Sequence, residues 1–309
     1  MFPWLVDTSR SEDVKSIVIS GDVLDAKDYH SATLVNRVTD CLVRLRDTVE
    51  HVYVLMGNHD YLIGDQPYLR FLNHIPGISY IWKPQEDHDV DGPPTFFLPH
   101  TKHPARDWAG MDFSHYQYLF MHQTLKGAIA SSGTAMEGEE VPELNAHKVF
   151  SGDIHVPQLC GPLEYIGSPY HVHFGDKYEP RIILLDRRGR QEDLEFATIA
   201  RMTLTVESLR ELKRLKLRAK DQVKLRMKLT REEHFDWQRI RREATGWLAD
   251  QGVVVAGVEL IAATERRRIK SLDVAARSVN SGDAVLRYVE HQELGADALD
   301  IGYQIVEGV

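Results

Sequence analysis

Four short stretches of the chain carry residues able to do chemistry: "GDVLD" with Asp22 and Asp25, "GNHD" with Asn58, His59 and Asp60, "LFMHQ" with His122, and "FSGDIH" with Asp153 and His155. Each follows an apolar run. A carboxylate buried alone at the end of a core strand costs several kcal/mol unless a cation compensates it, roughly the penalty of an unpaired interior charge. Oxygen and imidazole donors without a thiolate suit hard or borderline divalent ions such as Mn²⁺, Mg²⁺, Fe²⁺ or Zn²⁺. Asp22 therefore reads as a metal ligand. Taken singly the other three stretches also fit turns, a helix cap or a core histidine. Their shared placement just after strands is what points to a site.

The elements that must position these residues follow from hydrophobic periodicity. "SIVISG" (16–21), "VYVLMG" (52–57), "TFFLPH" (95–100), "YLFMHQ" (118–123) and "HKVFSG" (147–152) read as strands, with helical patterns over 31–48 and 67–75. "EYIGSPY" and "PRIILLDRRG" add two later strands, with a turn at Arg188–Gly189. Strand–helix alternation implies a layered α/β domain, and in such sheets the carboxyl ends of the strands share one crevice. Residues 124–146 are small, acidic and weakly periodic, and read as a long mobile loop. From about residue 201 a smaller α+β module is expected. In it Thr230 and Glu233 form a capping box for a helix that Gly252 ends, "VVVAGVELIA" is a strand, and "SGDAVLRYVEHQEL" is a final helix.

Charge divides the chain in the same place. Residues 1–200 hold 17 Lys and Arg against 29 Asp and Glu, whereas residues 201–309 hold 20 against 17. Ten basic residues fall in 201–228, including Lys213, Arg214, Lys216 and Arg218. That stretch is either a solvated helix face or a surface for phosphate. No apolar run is long enough to span a bilayer, the start shows no secretory pattern, and the 2 cysteines are far apart. These features fit a protein of a reducing cytoplasm.

With these motifs the chain resembles the calcineurin-like metallophosphoesterases, and within them the SbcD-type DNA repair nuclease branch, phage forms included. "GDVLD", "GNHD", "FMHQ", "SGDIH" and "GSPYHVHFGD" carry the resemblance over roughly residues 15–190. The implied fold is a layered β-sandwich flanked by helices, with a catalytic domain over 1–200 and a DNA-facing cap domain over 201–309. The resemblance implies two Mn²⁺ ions about 3.5–4 Å apart, as two-metal phosphodiesterases use. Asp22 would bridge them, Asn58 and His122 would complete one, and His155 would belong to the other. His59 would contact the scissile phosphate or protonate the leaving oxygen, oriented by Asp60, with Asp25 behind the ligands. His100 would lie where substrate approaches. The implied partners are DNA, an SbcC-like SMC-type ATPase and a second copy of the chain.

Two departures bear on chemistry. Asp153 stands where the family usually has a metal-binding histidine. The family's opening Asp-x-His motif is not found among the 21 residues before Asp22. On that reading the present chain should hold one metal firmly at most. Three functions remain in play: a metal-dependent DNA nuclease, a phosphoesterase for small molecules or phosphoproteins, and a DNA-binding partner of an ATPase with weak or no activity. The basic 201–228 stretch favours DNA.

Overall fold

The computed structural model describes residues 1–262 except 28, 64–65, 88–91, 139, 141–142, 197 and 231–232. Helix α1 (Phe2–Ser11) precedes strand β1 (Ser16–Ile19), and α2 (Ala32–Arg46) leads to β2 (His51–Leu55) and β3 (Ile78–Ile81). Ser31 starts α2, its hydroxyl accepting from the Leu34 N–H. These three strands are parallel, in the order β1-β2-β3.

A second sheet comprises β4 (Gln85–Glu86), β5 (Thr95–Leu98), β6 (Tyr118–His122), β7 (Lys148–Gly152), β8 (Gln158–Cys160) and β9 (Leu163–Tyr165), with the short helix α3 (Pro104–Asp107) between β5 and β6. Its order is β4-β5-β6-β7-β9-β8, with β5, β6, β7 and β9 parallel. The two sheets face each other across a core of Tyr53, Leu55, Ile81, Phe97, Tyr118, Phe120 and Phe150. Alternate residues point the other way. Val52 and Val54 pack with Leu42 and Leu45 of α2, while Leu119 and Met121 pack with Trp108 and Phe113. Strands buried on both faces read as unbroken apolar runs, which is why β2 and β6 are so visible in the sequence. The expected helix-flanked sandwich is present.

Strands β10 (Ile182–Leu185) and β11 (Gln191–Leu194) form a hairpin, and the Gly189 N–H closes its turn on Asp186. Strand β12 (Arg201–Val206), helix α4 (Leu209–Leu212), strand β13 (Gln222–Leu229), helix α5 (Trp237–Asp250) and strand β14 (Val254–Ala262) follow, and β12, β13 and β14 make a third sheet. This sheet has its own core, including Val223, Leu225, Met227, Ile240 and Leu248. It falls within the same compact unit as the sandwich, Met1–Ile261.

Several elements differ from expectation. The basic 201–228 stretch is strand–helix–strand and not one helix. "VKLRMKL" alternates with period two, burying Val223, Leu225, Met227 and Leu229 and leaving Lys224, Arg226 and Lys228 on the other face. Helical spacing over 67–75 yields only a 3-10 turn, Arg70–His74. The capping box forms, with reciprocal Thr230–Glu233 hydrogen bonds, but it heads a 3-10 turn ahead of α5. Of the expected mobile loop 124–146, Leu125, Ala128 and Leu144 are buried in the core. The helix expected at "SGDAVLRYVEHQEL" lies outside the described residues. Among the described residues no helix is long and apolar enough to cross a membrane.

Candidate metal centre

The carboxyl ends of β1, β6 and β7 bring Asp22, His122 and Asp153 together, and the segment after β2 meets them through the His59 N–H on Asp22. After β1 the chain turns through Gly21 (φ 96°) and Asp22 (φ 52°), and after β7 it turns through Asp153 (φ 76°). Left-handed backbone at two non-glycine residues is sparsely populated and marks local strain, the kind that persists where a site requires it. The strain aims both carboxylates at His122, the last residue of β6. Asp22, His122 and Asp153 each place a ligand atom within 4.8 Å of the others.

His122 is 1 % exposed. Its Nδ1 lies 2.6 Å from the Ser20 carbonyl, which can only accept, so that nitrogen carries a proton and Nε2 is the one left to take a proton or face a cation with its lone pair. Nε2 sits 3.4 Å from Asp22 Oδ1 and 3.8 Å from Asp153 Oδ1, yet it is buried without a hydrogen bond. Asn58 Oδ1 is a second buried acceptor left without a partner. Two carboxylates, one amide oxygen and one imidazole lone pair are what a divalent cation takes. Burial opposes a charge on His122, but Asp22, Asp153 and the Ser20 carbonyl outweigh it and raise its pKa to about 9. Burial likewise works against the Asp22 charge, and His122 with the His59 N–H overcomes it, holding the carboxyl below its usual range. Both shifts say that the cluster attracts positive charge.

The close approach leaves no room for side chains on two glycines. A Cβ at Gly152 would lie 2.1 Å from the Ser20 carbonyl oxygen, and one at Gly21 would lie 2.2 Å from His122 Nδ1. Thr124 donates its hydroxyl to Asp153 Oδ2 and so orients that carboxylate.

Asp60 needs a correction. Where it was expected to orient His59, it is fully buried, and its carboxylate accepts the N–H groups of Gly57 (2.8 Å), Asp22 (2.9 Å) and Leu24 (3.1 Å). It clamps the β1 turn to the β2 turn. Burial, with the nearby Asp22 charge, pushes its carboxyl above the usual carboxylate range despite these bonds. The orienting group for His59 is the Asp25 carbonyl, 2.6 Å from Nδ1, while the Asp25 side chain faces solvent. His59 also donates its backbone N–H to Asp22 Oδ1.

His155 is half-buried with its ring on His173 at 5.6 Å; burial, then His173, lowers its pKa, while the charges of Asp153 and Asp22 act in the other direction. His100 enters beside His122, ring centroids 6.2 Å apart. Burial, then the positive charge of His122, lowers its pKa to about 4. Lys213, Arg214, Lys216 and Arg218 are exposed at the end of α4 and in the turn after it, and Lys213 pairs with Glu243 at 2.8 Å. Sequence reasoning missed Ser20, Tyr61, Thr124 and His173. Tyr61 and Thr124 adjoin the motif residues Asp60 and Gln123, but a hydroxyl one step past a motif gives no signal of its own. A backbone carbonyl such as that of Ser20 gives none at all.

A family model described as calcineurin-like phosphoesterase matches residues 2–157. Two curated relatives, each the SbcD component of the nuclease SbcCD, come from Escherichia coli K12 and Escherichia coli O157:H7. Both are 39% identical to the chain over 59 residues, which is 18% of this chain and 14% of each relative. The match thus spans about one seventh of those proteins.

Proposed function

The chain belongs to the calcineurin-like phosphoesterase family of metal-dependent hydrolases, and from that premise we propose that it is a Mn²⁺-dependent phosphodiesterase acting on DNA. The observation that carries the reading is His122 Nε2, buried and without a hydrogen bond between two carboxylates. Asp22, Asn58, His122 and Asp153 would hold the ion, and His155 would serve a second one. Bound there, a divalent ion supplies Lewis acidity to a phosphoryl oxygen and makes water a better nucleophile at neutral pH.

The chain's own residues do the rest. Thr124 and the Asp60 clamp keep the two carboxylates in place. His59, held through Nδ1 on the Asp25 carbonyl, keeps Nε2 for a proton that it delivers to the leaving oxygen. DNA as substrate is supported by the similarity to the two SbcCD nuclease components and by the exposed cations Lys213, Arg214, Lys216 and Arg218. The region from 201 onward would act as the DNA-facing cap. An SbcC-like ATPase and a second copy of the chain are the partners this reading implies.

The test is hydrolysis of bis-p-nitrophenyl phosphate and of linear duplex DNA with Mn²⁺, with EDTA, and by His59→Ala and Asp22→Asn. EDTA should abolish both activities and Mn²⁺ restore them. His59→Ala should lose turnover at unchanged metal content, and Asp22→Asn should lose both. Turnover that persists in EDTA would sink the metal chemistry, and cleavage of the small ester without DNA would remove the nuclease assignment.

A further inference from the structure

Two histidines meet in the crevice in opposite hydrogen-bonding states. His122 donates its Nδ1–H to the Ser20 carbonyl, which leaves Nε2 to face a bound cation with its lone pair. His100, just after β5, is fixed by its backbone N–H on the Met56 carbonyl at 2.9 Å, and its Nδ1 lies 2.8 Å from the Tyr61 hydroxyl. Tyr61 is 5% exposed. A phenol buried to that extent donates its proton to an acceptor, and His100 Nδ1 is the acceptor the structure gives it. A nitrogen that accepts carries no proton of its own, so the neutral ring bears its proton on Nε2. An imidazolium would bear one there as well. Only a neutral ring protonated at Nδ1 would offer an Nε2 lone pair, and it would take from the Tyr61 proton the one acceptor that the described residues give it.

We propose that Tyr61 fixes His100 as a hydrogen-bond donor, not a metal ligand, and that His100 Nε2–H contacts a phosphoryl oxygen of the substrate at the Asp22–His122–Asp153 centre. The phosphoryl ligand rests on the phosphoesterase reading above. His100 is then a catalytic residue and Tyr61 its positioning residue. The two histidines divide the work: one faces the cation with a lone pair, the other faces the anion with a proton.

The experiment uses the full ¹⁵N-labelled chain with Mg²⁺, long-range proton–nitrogen spectra of the imidazoles, His100→Gln to assign the His100 signals, and inorganic phosphate as the probe. His100 should show a bare Nδ1 and a protonated Nε2, and the Nε2 signal should move as phosphate is added. Tyr61→Phe keeps the ring and its packing. It should mix the tautomers and weaken phosphate binding about fivefold, the effect of one neutral hydrogen bond, with Mg²⁺ affinity unchanged. His100→Gln, which keeps an N–H donor, should retain more phosphate affinity than His100→Ala.

A wild-type ring protonated at Nδ1, His100 signals that ignore phosphate, or loss of Mg²⁺ from His100→Ala would each overturn the proposal. A chain that shows the expected tautomer and phosphate response but hydrolyses no phosphodiester supports the His100 assignment and overturns the enzymatic reading alone.

Discussion

Asp60→Asn separates a framework role from a chemical one. The carboxylate holds three backbone N–H groups, with Oδ2 taking Gly57 and Asp22 and Oδ1 taking Leu24. An asparagine can place its single oxygen on the Gly57–Asp22 pair, but its NH₂ then faces the Leu24 N–H. One buried donor is left without an acceptor, at about 1–3 kcal/mol, and the two surviving bonds lose their charge assistance, about 1 kcal/mol each. Relief of the buried charge returns part of this, since burial already disfavours the ionised form of Asp60. A net loss of about 2–4 kcal/mol is expected, against the roughly 5–15 kcal/mol that holds a typical domain together. Urea unfolding of the metal-free chain measures it, with the exposed Asp25→Asn as control, expected within about 0.5 kcal/mol of wild type. Metal affinity should fall too, because the clamp sets the turn that carries Asp22. If Asp60→Asn unfolds like wild type and binds metal normally, yet loses hydrolysis, Asp60 is a reacting group and the clamp argument fails.

Gly152→Ala should abolish metal binding and lower stability, because the new Cβ meets a backbone carbonyl at 2.1 Å; Gly246→Ala, in the interior of α5 with open space around it, should stabilise by about 0.5–1 kcal/mol in the same urea assay. His122 has a pKa of about 9, above its unfolded value, so its contribution to the metal-free chain is fully present below about pH 6.5 and is lost as pH rises through 9. The melting temperature of metal-free protein should therefore decline over that window, and Mg²⁺ affinity should rise about tenfold per pH unit up to pH 9 as the ion displaces one proton; flat affinity across pH 6.5–9 would contradict the His122 assignment. Neutralising Lys213, Arg214, Lys216 and Arg218 should flatten the salt dependence of DNA binding by roughly 0.9 per lost phosphate contact. The contribution of Lys213 should be the smallest, because Glu243 already holds it.

What was legible follows from which forces write themselves into sequence. Burial on both faces leaves unbroken apolar runs, so β2, β6 and β7 were visible with the residues that follow them. Helix α1 and strand β3 went unread, since a mixed ten-residue segment such as "FPWLVDTSRS" has no strong period. The stretch at 201–228 misled because its basic residues far outnumber its acidic ones, whereas the period-two burial of Val223, Leu225 and Met227 decides the conformation of its last strand. Asp60 misled for a different reason. Its neighbour His59 meets Asp22 through the backbone N–H, and nothing in the letters tells an aspartate that reaches outward from one that turns inward onto backbone N–H groups.

The tripeptide "SGD" stands at two strand ends, 20–22 and 151–153, with a third copy at 281–283 outside the described residues, and the structure gives the strand-end pair a physical cause. Both glycines must lack a Cβ because the chain passes against His122 or against the other tripeptide, and both aspartates adopt left-handed backbone to turn back toward the same imidazole. The serines then do unlike things. Ser20 lends its carbonyl to His122 Nδ1, while the Ser151 hydroxyl accepts the Gln123 N–H and steadies the strand end that carries His122. His122 is thus enclosed by two copies of one local solution, each supplying a carboxylate, and Ser20 fixes its protonation. A histidine so enclosed has one direction left for its lone pair, toward the space between Asp22 and Asp153. That geometry requires a positive charge there, a proton when no metal is bound and a divalent ion when one is.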